Sequence, residues 1–235
     1  LVAMLHPFYS ACNREFTAAG KPVIGSAPVG AEGTAEWLEA VGSALGAPAD
    51  IIAKHRDAMR TAITSAIQAN PIKARITLSG YEGSELLVGR LLVESGADLR
   101  YVGSACPATR WNARDREWLE AHGVTVKFRA SLEDDLCAVD AFEPDLAIGT
   151  TPVVQHAKQQ GTPSLYFTNL ISARPLMGPA GAGSLSQVIN TAINNKARFD
   201  SMESFFEGVG KGDSAGVWTE DTADRAGLVT PREVA

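Results

Sequence analysis

Short apolar runs alternate with amphipathic stretches along most of this 235-residue chain, and this alternation constrains its fold more than any other feature. The clearest apolar runs are Arg75–Ser79, Leu99–Gly103, Val124–Phe128, Asp145–Gly149 and Ser164–Thr168. Helical patterns separate these runs, which is typical of strands that lie parallel in one sheet and are covered by helices. The sequence therefore predicts an α/β fold with two doubly wound units, the first of them incomplete.

Three regions are expected along the chain. Residues 1–70 are predicted to form the tail of one α/β domain, together with a long connecting helix over residues 50–69. Residues 71–196 are predicted to form a doubly wound α/β domain, and residues 197–235 a polar C-terminal extension. Because the chain enters apolar sequence directly at Leu1, we expect a piece of a longer protein; a trimmed complete domain is the alternative.

Composition excludes several classes of protein. A net charge of −6 and a pI near 5.3 disfavour a nucleic-acid-binding surface. No apolar run approaches the roughly 20 residues that span a bilayer. The three cysteines, Cys12, Cys106 and Cys137, form no CxxC pair, so neither a disulfide framework nor a self-contained metal site is supported. A reducing, cytoplasmic location is therefore expected.

Ligands of open parallel sheets bind beyond the carboxyl ends of the strands. The segments expected at that edge are Ser79–Glu82, Ser104–Cys106, Gly149–Thr151 and 169–183. The predicted loop Gly178–Gly183 has the order G-x-x-G-x-G, whereas the dinucleotide fingerprint is G-x-G-x-x-G. We therefore interpret it as a place of close backbone approach, with apolar contacts from the neighbouring Leu176, Met177 and Pro179.

Histidines and a row of carboxylates could also carry chemistry. His6 follows a buried strand and is expected at the crevice edge, whereas the other three histidines fit structural or surface positions. The carboxylates of Glu133–Asp135 fall in the first turn of a helix that Ser131 is predicted to cap. We interpret them as solvated charges that complement the helix dipole. No serine lies in a G-x-S-x-G turn, so a hydrolase triad is not indicated.

The order of several segments resembles the catalytic, component 1 subunits of the nitrogenase family. These segments are His6–Tyr9, Gly20–Ile24, Pro28–Thr34, Gly80–Ser84, Glu143–Gly149 and Tyr166–Ser184. They are spread over nearly the whole chain. The stretch Tyr166–Ser184 is the most specific, and it is most similar to the family members that reduce chlorophyll precursors.

This resemblance implies two Rossmann-like units of the nitrogenase component 1 type. It also implies ATP-dependent reduction of the ring-B double bond of chlorophyllide a, in bacteriochlorophyll biosynthesis. The implied partners are a homologous second subunit and an ATP-hydrolysing iron–sulfur reductase, with a [4Fe-4S] cluster whose ligands lie outside this chain and ATP bound by the reductase. The alternatives are a subunit of dark-operative protochlorophyllide reductase and a non-catalytic scaffold or assembly subunit.

The resemblance carries a specific expectation for the site. In nitrogenase a cysteine and a histidine hold the iron–molybdenum cofactor, and the matching positions here are Pro7 and Met177. Neither side chain offers a thiolate or an imidazole, so the resemblance implies a cavity that suits a planar tetrapyrrole instead. The predicted substrate-binding residues are Pro7, Phe8, Leu176, Met177, Gly178 and Gly181. His6 and Tyr9 are the predicted proton donors.

Overall fold

The structure is a computed structural model that describes residues 1–6, 9–173 and 175–206, the last five by their backbone only. The described residues form seven strands: β1 (Val2–Ala3), β2 (Val23–Ile24), β3 (Arg75–Gly80), β4 (Asp98–Ser104), β5 (Thr125–Phe128), β6 (Leu146–Gly149) and β7 (Ser164–Tyr166). The helices among them are α1 (Ser10–Ala18), α2 (Ala31–Ala44), α3 (Ala49–Gln68), α4 (Glu85–Glu94), α5 (Ala113–Ala121), α6 (Leu132–Phe142), α7 (Thr151–Gln159), α8 (Phe167–Ser172), α9 (Gly178–Asn194) and α10 (Lys196–Phe206).

Five of the strands form one parallel sheet in the order β5-β4-β3-β6-β7. From β3 the chain proceeds outward through β4 to β5, and then returns to place β6 on the opposite side of β3. This reversal makes the boundary between β3 and β6 the topological switch point of the sheet. The predicted α/β fold with parallel strands is confirmed.

The first two strands form a separate parallel pair, with Val2 opposite Val23 and Ala3 opposite Ile24. The predicted long helix is α3, which packs against both α2 and α9. Only its C-terminal half is well buried, as Ile63 shows. The two sheets are thus joined by helix packing.

The main core lies around the central strands β3 and β6. Ile76 and Leu78 of β3 and Leu146 of β6 are fully buried. Helix α4 is buried along most of its length, because its apolar residues face this sheet on one side and other helices on the other. An added Cβ at Gly89 would lie 3.1 Å from Val102, so this glycine allows α4 to approach β4 closely.

Buried charges connect the helices of the two sheets. The Arg90 guanidinium donates a hydrogen bond of 2.7 Å to Asp115, and both side chains are 1% exposed. Arg90 also donates to Glu36 of α2 at 3.3 Å. The Ser26 hydroxyl, which follows β2, donates to the Asp115 carboxylate as well. Asp115 therefore ties α4 and α5 to the segment after β2.

Several element boundaries differ from those predicted. Helix α9 begins at Gly178, so the glycine-rich stretch is the first part of a helix rather than a loop. Strand β7 ends at Tyr166, where α8 begins. Helix α2 begins at Ala31, and its first backbone N–H groups, those of Ala31 and Glu32, donate to the carboxylate of Glu94. None of the described helices is long and apolar enough to cross a membrane.

Candidate functional site

An open cavity of about 450 Å³ lies where β3, β6 and β7 end. Tyr81, Gly149–Pro152 and Tyr166–Asn169 line it. We call this cavity the crevice. It lies at the switch point of the sheet, where open α/β sheets bind their ligands, and its volume suits a small organic molecule. A larger cavity of about 750 Å³ begins beside Ser164, at the opposite end of β7, and has no such position in the fold.

The walls of the crevice combine aromatic rings with hydroxyl groups. Tyr81 is 59% exposed and Tyr166 is 36% exposed. The Thr168 hydroxyl donates a hydrogen bond of 2.8 Å to Glu82 and lies 3.5 Å from the Tyr81 hydroxyl. The Lys158 ammonium lies 5.5 Å from the centre of the Tyr166 ring. Exposed aromatic faces of this kind offer stacking surface to a flat ligand.

A buried carboxylate holds the loop after β3 in place. Glu85 is completely buried, and its Oε1 accepts hydrogen bonds from the backbone N–H groups of Glu82 at 2.7 Å and Gly83 at 3.1 Å. Its Oε2 accepts from the Ser104 hydroxyl at 2.8 Å. An added Cβ at Gly80 would lie 2.6 Å from Oε1, so only glycine leaves room for this carboxylate. Glu85 was not among the predicted site residues, although an acidic residue directly after a glycine-rich turn is a usable signal.

The row of carboxylates on α6 divides into two environments. The Asp134 side chain is 30% exposed and completes a capping box with Ser131, so the predicted cap is confirmed. A hydrogen bond from Lys127 lowers the pKa of Asp134 to about 2. Asp135 is only 8% exposed and accepts a hydrogen bond of 2.9 Å from Tyr101. Interpreting Asp135 as solvated was therefore wrong, because its position on α6 faces the sheet.

His6 and Tyr9, the predicted proton donors, lie just beyond β1. Their rings are 5.4 Å apart and tilted by 47°, and the Tyr9 backbone N–H donates to the His6 carbonyl. Tyr9 is 62% exposed. Pro7 and Phe8 lie outside the described residues. The structure thus brings the two predicted donors together at the carboxyl end of the two-stranded sheet.

The other predicted substrate-binding residues form one turn at the start of α9. Met177 is 40% exposed and pairs as an isolated antiparallel bridge with Val29, which follows β2. Leu176 is half-buried against the main core. Gly178 has a φ of +69°, which favours glycine, and Gly181 is buried where an added Cβ would lie 2.7 Å from the Leu176 carbonyl oxygen. Met177 therefore pairs with a residue that follows β2, and His6 follows β1, the other strand of the two-stranded sheet.

The cysteines do not form a metal site in the part of the chain that the structure describes. Cys12 is exposed on α1, Cys137 is exposed on α6, and Cys106 is buried after β4. Burial raises the pKa of the Cys106 thiol. Within residues 1–6, 9–173 and 175–206, no group of three or more His, Cys, Asp or Glu side chains could hold a metal ion. These residues do not fit the ligand set of an iron–sulfur cluster.

Two curated proteins named "Chlorophyllide reductase 52.5 kDa chain" are similar to this chain. The one from Cereibacter sphaeroides is 65% identical over 218 residues, which are 93% of this chain and 43% of that protein. The one from Rhodobacter capsulatus is 62% identical over 220 residues, which are 94% of this chain and 44% of that protein. The chain therefore spans less than half the length of these relatives.

Solved structures show the same fold at low sequence identity. A structure titled "Nitrogenase Cp1 at pH 6.5" matches with a TM-score of 0.60 at 20% identity, over 83% of this chain and 45% of that one. "Nitrogenase Cp1 at pH 5" matches with a TM-score of 0.56 at 16% identity, over 80% and 45% of the two chains. The family model for nitrogenase component 1 type oxidoreductases matches residues 1–194. This chain belongs to the nitrogenase component 1 type oxidoreductase family.

Proposed function

We propose that this chain is part of subunit Y of chlorophyllide a reductase. The observation that carries the proposal is 62% and 65% identity, over more than nine-tenths of the chain, to proteins named as a chain of chlorophyllide reductase. In the proposed reaction, the ring-B double bond of chlorophyllide a takes up two electrons and two protons. This would be a step of bacteriochlorophyll biosynthesis in the cytoplasm.

The proposed role needs partners that supply electrons. We propose that a homologous Z subunit completes the catalytic component and that an ATP-dependent iron–sulfur reductase, subunit X, binds ATP and delivers the electrons. The described residues do not fit a cluster, so we propose that the ligands of the [4Fe-4S] cluster come from other residues of the subunit pair. This chain's own contribution is then to bind the pigment and to hold protons near it.

The turn at the start of α9 supports a role in pigment binding. Met177 is exposed beside Val29, and an added Cβ at Gly178 would meet no atom within 4 Å, so this position is open to a flat ligand. Gly181 is buried and allows α9 to pack against the backbone of Leu176. His6 and Tyr9 follow β1 at the same end of the two-stranded sheet, which is why we propose them as proton donors. Apolar area with few polar groups is what a tetrapyrrole ring requires.

We propose a domain organisation that follows from treating this chain as part of a longer subunit. Residues 1–70 would belong to one α/β domain together with residues not in this chain, and residues 71–196 would form the next. Residues 197–235 would be a C-terminal extension, of which residues 207–235 lie outside the described residues.

The decisive experiment is anaerobic reconstitution. Full-length subunit would be mixed with the Z subunit, the ATP-dependent reductase, ATP, a reductant and chlorophyllide a. We expect the absorption spectrum to change to that of a ring-B-reduced product. Turnover of protochlorophyllide instead would favour the protochlorophyllide reductase alternative, and no turnover of either pigment would favour a scaffold.

The variant Met177→Trp tests the pigment-binding turn. The larger ring should obstruct the site and weaken pigment binding about tenfold or more, which corresponds to about 1.4 kcal/mol. Met59→Trp is a matched control, because Met59 is similarly exposed, at 36%, but lies on α3. Pigment titration of both variants, followed by fluorescence quenching, measures the effect. Equal affinity in the two variants would remove Met177 from the site.

A further inference from the structure

Three small residues lie side by side across the five-stranded sheet beneath the crevice, and we call Gly103, Ser79 and Gly149 the small-residue row. Ser79 of β3 is paired with Gly103 of β4, and the pairing of Leu78 with Ile148 places Ser79 beside Gly149 of β6. An added Cβ at Gly103 would collide with the Asp135 carboxylate, and one at Gly149 would lie 2.8 Å from the Ser79 hydroxyl. The space that the two glycines leave is occupied by the Asp135 carboxylate at Gly103, and by the Ser79 hydroxyl and the Val153 side chain, the latter at 2.6 Å, at Gly149.

Polar groups that lack some of their hydrogen-bond partners lie along the small-residue row. Asp135 lies at one end, 8% exposed, and accepts the hydrogen bond from Tyr101. Ser79 lies in the middle, 2% exposed; its hydroxyl is close enough to Asp135 to lower the pKa of that carboxyl group, but it makes no hydrogen bond of ordinary geometry to any described residue. Gly149, at the other end, lines the crevice. A buried hydroxyl of this kind can rotate to donate toward either side.

The surroundings of Asp135 favour its protonated form. Burial raises its pKa to about 6, the hydrogen bond from Tyr101 and the Ser79 hydroxyl lower it, and the charges of Asp134 and Glu85 raise it further. Asp134 is itself paired with Lys127. Among the described residues, Asp135 has no cationic partner within salt-bridge distance. A carboxyl group with this pKa exchanges its proton near neutral pH.

We propose that Asp135 holds a proton beneath the crevice and passes it through the Ser79 hydroxyl to a molecule bound there. One proton moves from Asp135 to the Ser79 oxygen while the proton of the Ser79 hydroxyl moves past Gly149 into the crevice. Asp135 is left as a carboxylate that Tyr101 stabilises, and it takes up a new proton from solvent. The inference rests on the proposed reduction, which consumes two protons and takes its electrons from the iron–sulfur reductase. It extends the proposed pigment site from the turn at the start of α9 to the crevice, where the relay delivers one of those protons.

Two conservative variants test the relay in the reconstituted complex. Asp135→Asn keeps an acceptor for Tyr101 but cannot titrate, and Ser79→Ala removes the hydroxyl. We expect both to reduce turnover by about tenfold to a hundredfold with pigment affinity unchanged. Thr77→Val is the matched control for Ser79, because Thr77 is another buried, unpartnered hydroxyl of β3, two residues farther from the crevice. Asp134→Asn is the control for Asp135, and both controls should stay within about twofold of wild type.

The pH profile separates a relay from a merely structural role. Wild-type turnover should fall as the pH rises through about 6, where Asp135 loses its proton, and this limb should be absent in Asp135→Asn. A wild-type limb retained in Asp135→Asn, or equal turnover in Ser79→Ala and Thr77→Val, would overturn the relay. If Asp135→Asn does not assemble, the comparison of Ser79→Ala with Thr77→Val decides.

A spectroscopic measurement tests Asp135 independently of the proposed reaction. Infrared difference spectra of the full-length subunit between about pH 4 and about pH 8 should contain the carbonyl stretch of a protonated carboxyl group, with a midpoint near 6, that Asp135→Asn removes. Absence of this band contradicts the relay whatever the substrate is. Its presence in a subunit that reduces neither pigment would leave Asp135 as a proton-holding group and contradict only the proposed function.

Discussion

Asp115 and Asp135 are two buried carboxylates of similar exposure, but one has a cationic hydrogen-bond partner and the other a neutral one. Asp115 is 1% exposed and meets a guanidinium at 2.7 Å, whereas Asp135 is 8% exposed and meets a tyrosine hydroxyl at 2.9 Å. Burial raises the pKa of both, but only at Asp115 does a fixed positive charge oppose it. A buried carboxylate beside arginine is suited to hold helices together, and one beside neutral donors is suited to hold a proton.

The pKa of Arg90, the partner of Asp115, also reflects a balance between burial and neighbouring charges. Burial lowers the pKa of Arg90, but the hydrogen bond and charge of Asp115 and the charge of Glu36 outweigh it, so the pKa of Arg90 is raised. The guanidinium also lies 5.0 Å from the centre of the Trp118 ring. Burial raises the pKa of Asp115 in spite of this cation, and the 2.7 Å hydrogen bond holds its carboxyl group against the guanidinium.

Arg90→Met has the largest expected effect, because it would turn Asp115 into a buried carboxylate without a cation. We expect the free energy of unfolding to fall by about 3–5 kcal/mol, the usual cost of removing one partner of a buried ion pair. Chemical unfolding followed by circular dichroism measures this change.

The double variant Arg90→Met, Asp115→Leu is the control for this prediction. It removes both charges, and it should be more stable than Arg90→Met alone because no uncompensated carboxylate remains. If Arg90→Met lowered the free energy of unfolding by less than about 1 kcal/mol, Asp115 would not depend on its cation, and the distinction between Asp115 and Asp135 would be contradicted.

Much of the fold was predictable, because its signals are local. The alternation of apolar runs and helical patterns predicted all five strands of the large sheet, and the long helix predicted over 50–69 is α3. The Ser131 cap was also correct, since the capping pattern lies within four residues. The start of α9 was not predictable from glycine content, because a single positive φ at Gly178 and the proline after it begin the helix.

The buried polar residues were the part that the sequence could not reveal. Arg90 and Asp115 are 25 residues apart, and Asp135 and Tyr101 are 34 apart. Their burial follows from tertiary packing against the sheet, which composition and spacing do not encode. The edge of the sheet was predictable from topology, whereas the carboxylates behind it were not.

Asp135→Asn should change how stability depends on pH. The pKa of Asp135 is about 6 in the folded protein and 3.8 ordinarily, so the folded state binds this proton more tightly. The resulting stabilisation is complete below the ordinary value and is lost as the pH rises through about 6. We expect wild type to lose about 3 kcal/mol over that range relative to the variant.

Unfolding free energies of wild type and Asp135→Asn, measured at several pH values, test this slope. Tyr101→Phe is a useful companion, because it removes the hydrogen bond that favours the carboxylate and should move the loss to higher pH. Parallel curves for wild type and Asp135→Asn would mean that Asp135 titrates no differently in the folded and unfolded states.

The smallest effect is expected one residue away, at Asp134, and with the opposite sign. The hydrogen bonds from Lys127 and Ser131 lower its pKa to about 2, so its stabilisation is present above the ordinary value of 3.8 and is lost as the pH falls through about 2. Asp134→Asn should therefore destabilise α6 slightly at neutral pH and make no difference near pH 2. High salt should shrink this difference, because an exposed pair is screened. Unfolding curves at low and high salt measure the change in unfolding free energy that each substitution causes. A change in Asp134→Asn as large as that in Asp135→Asn, or larger, would show that the difference in exposure does not explain the different behaviour of these neighbouring carboxylates.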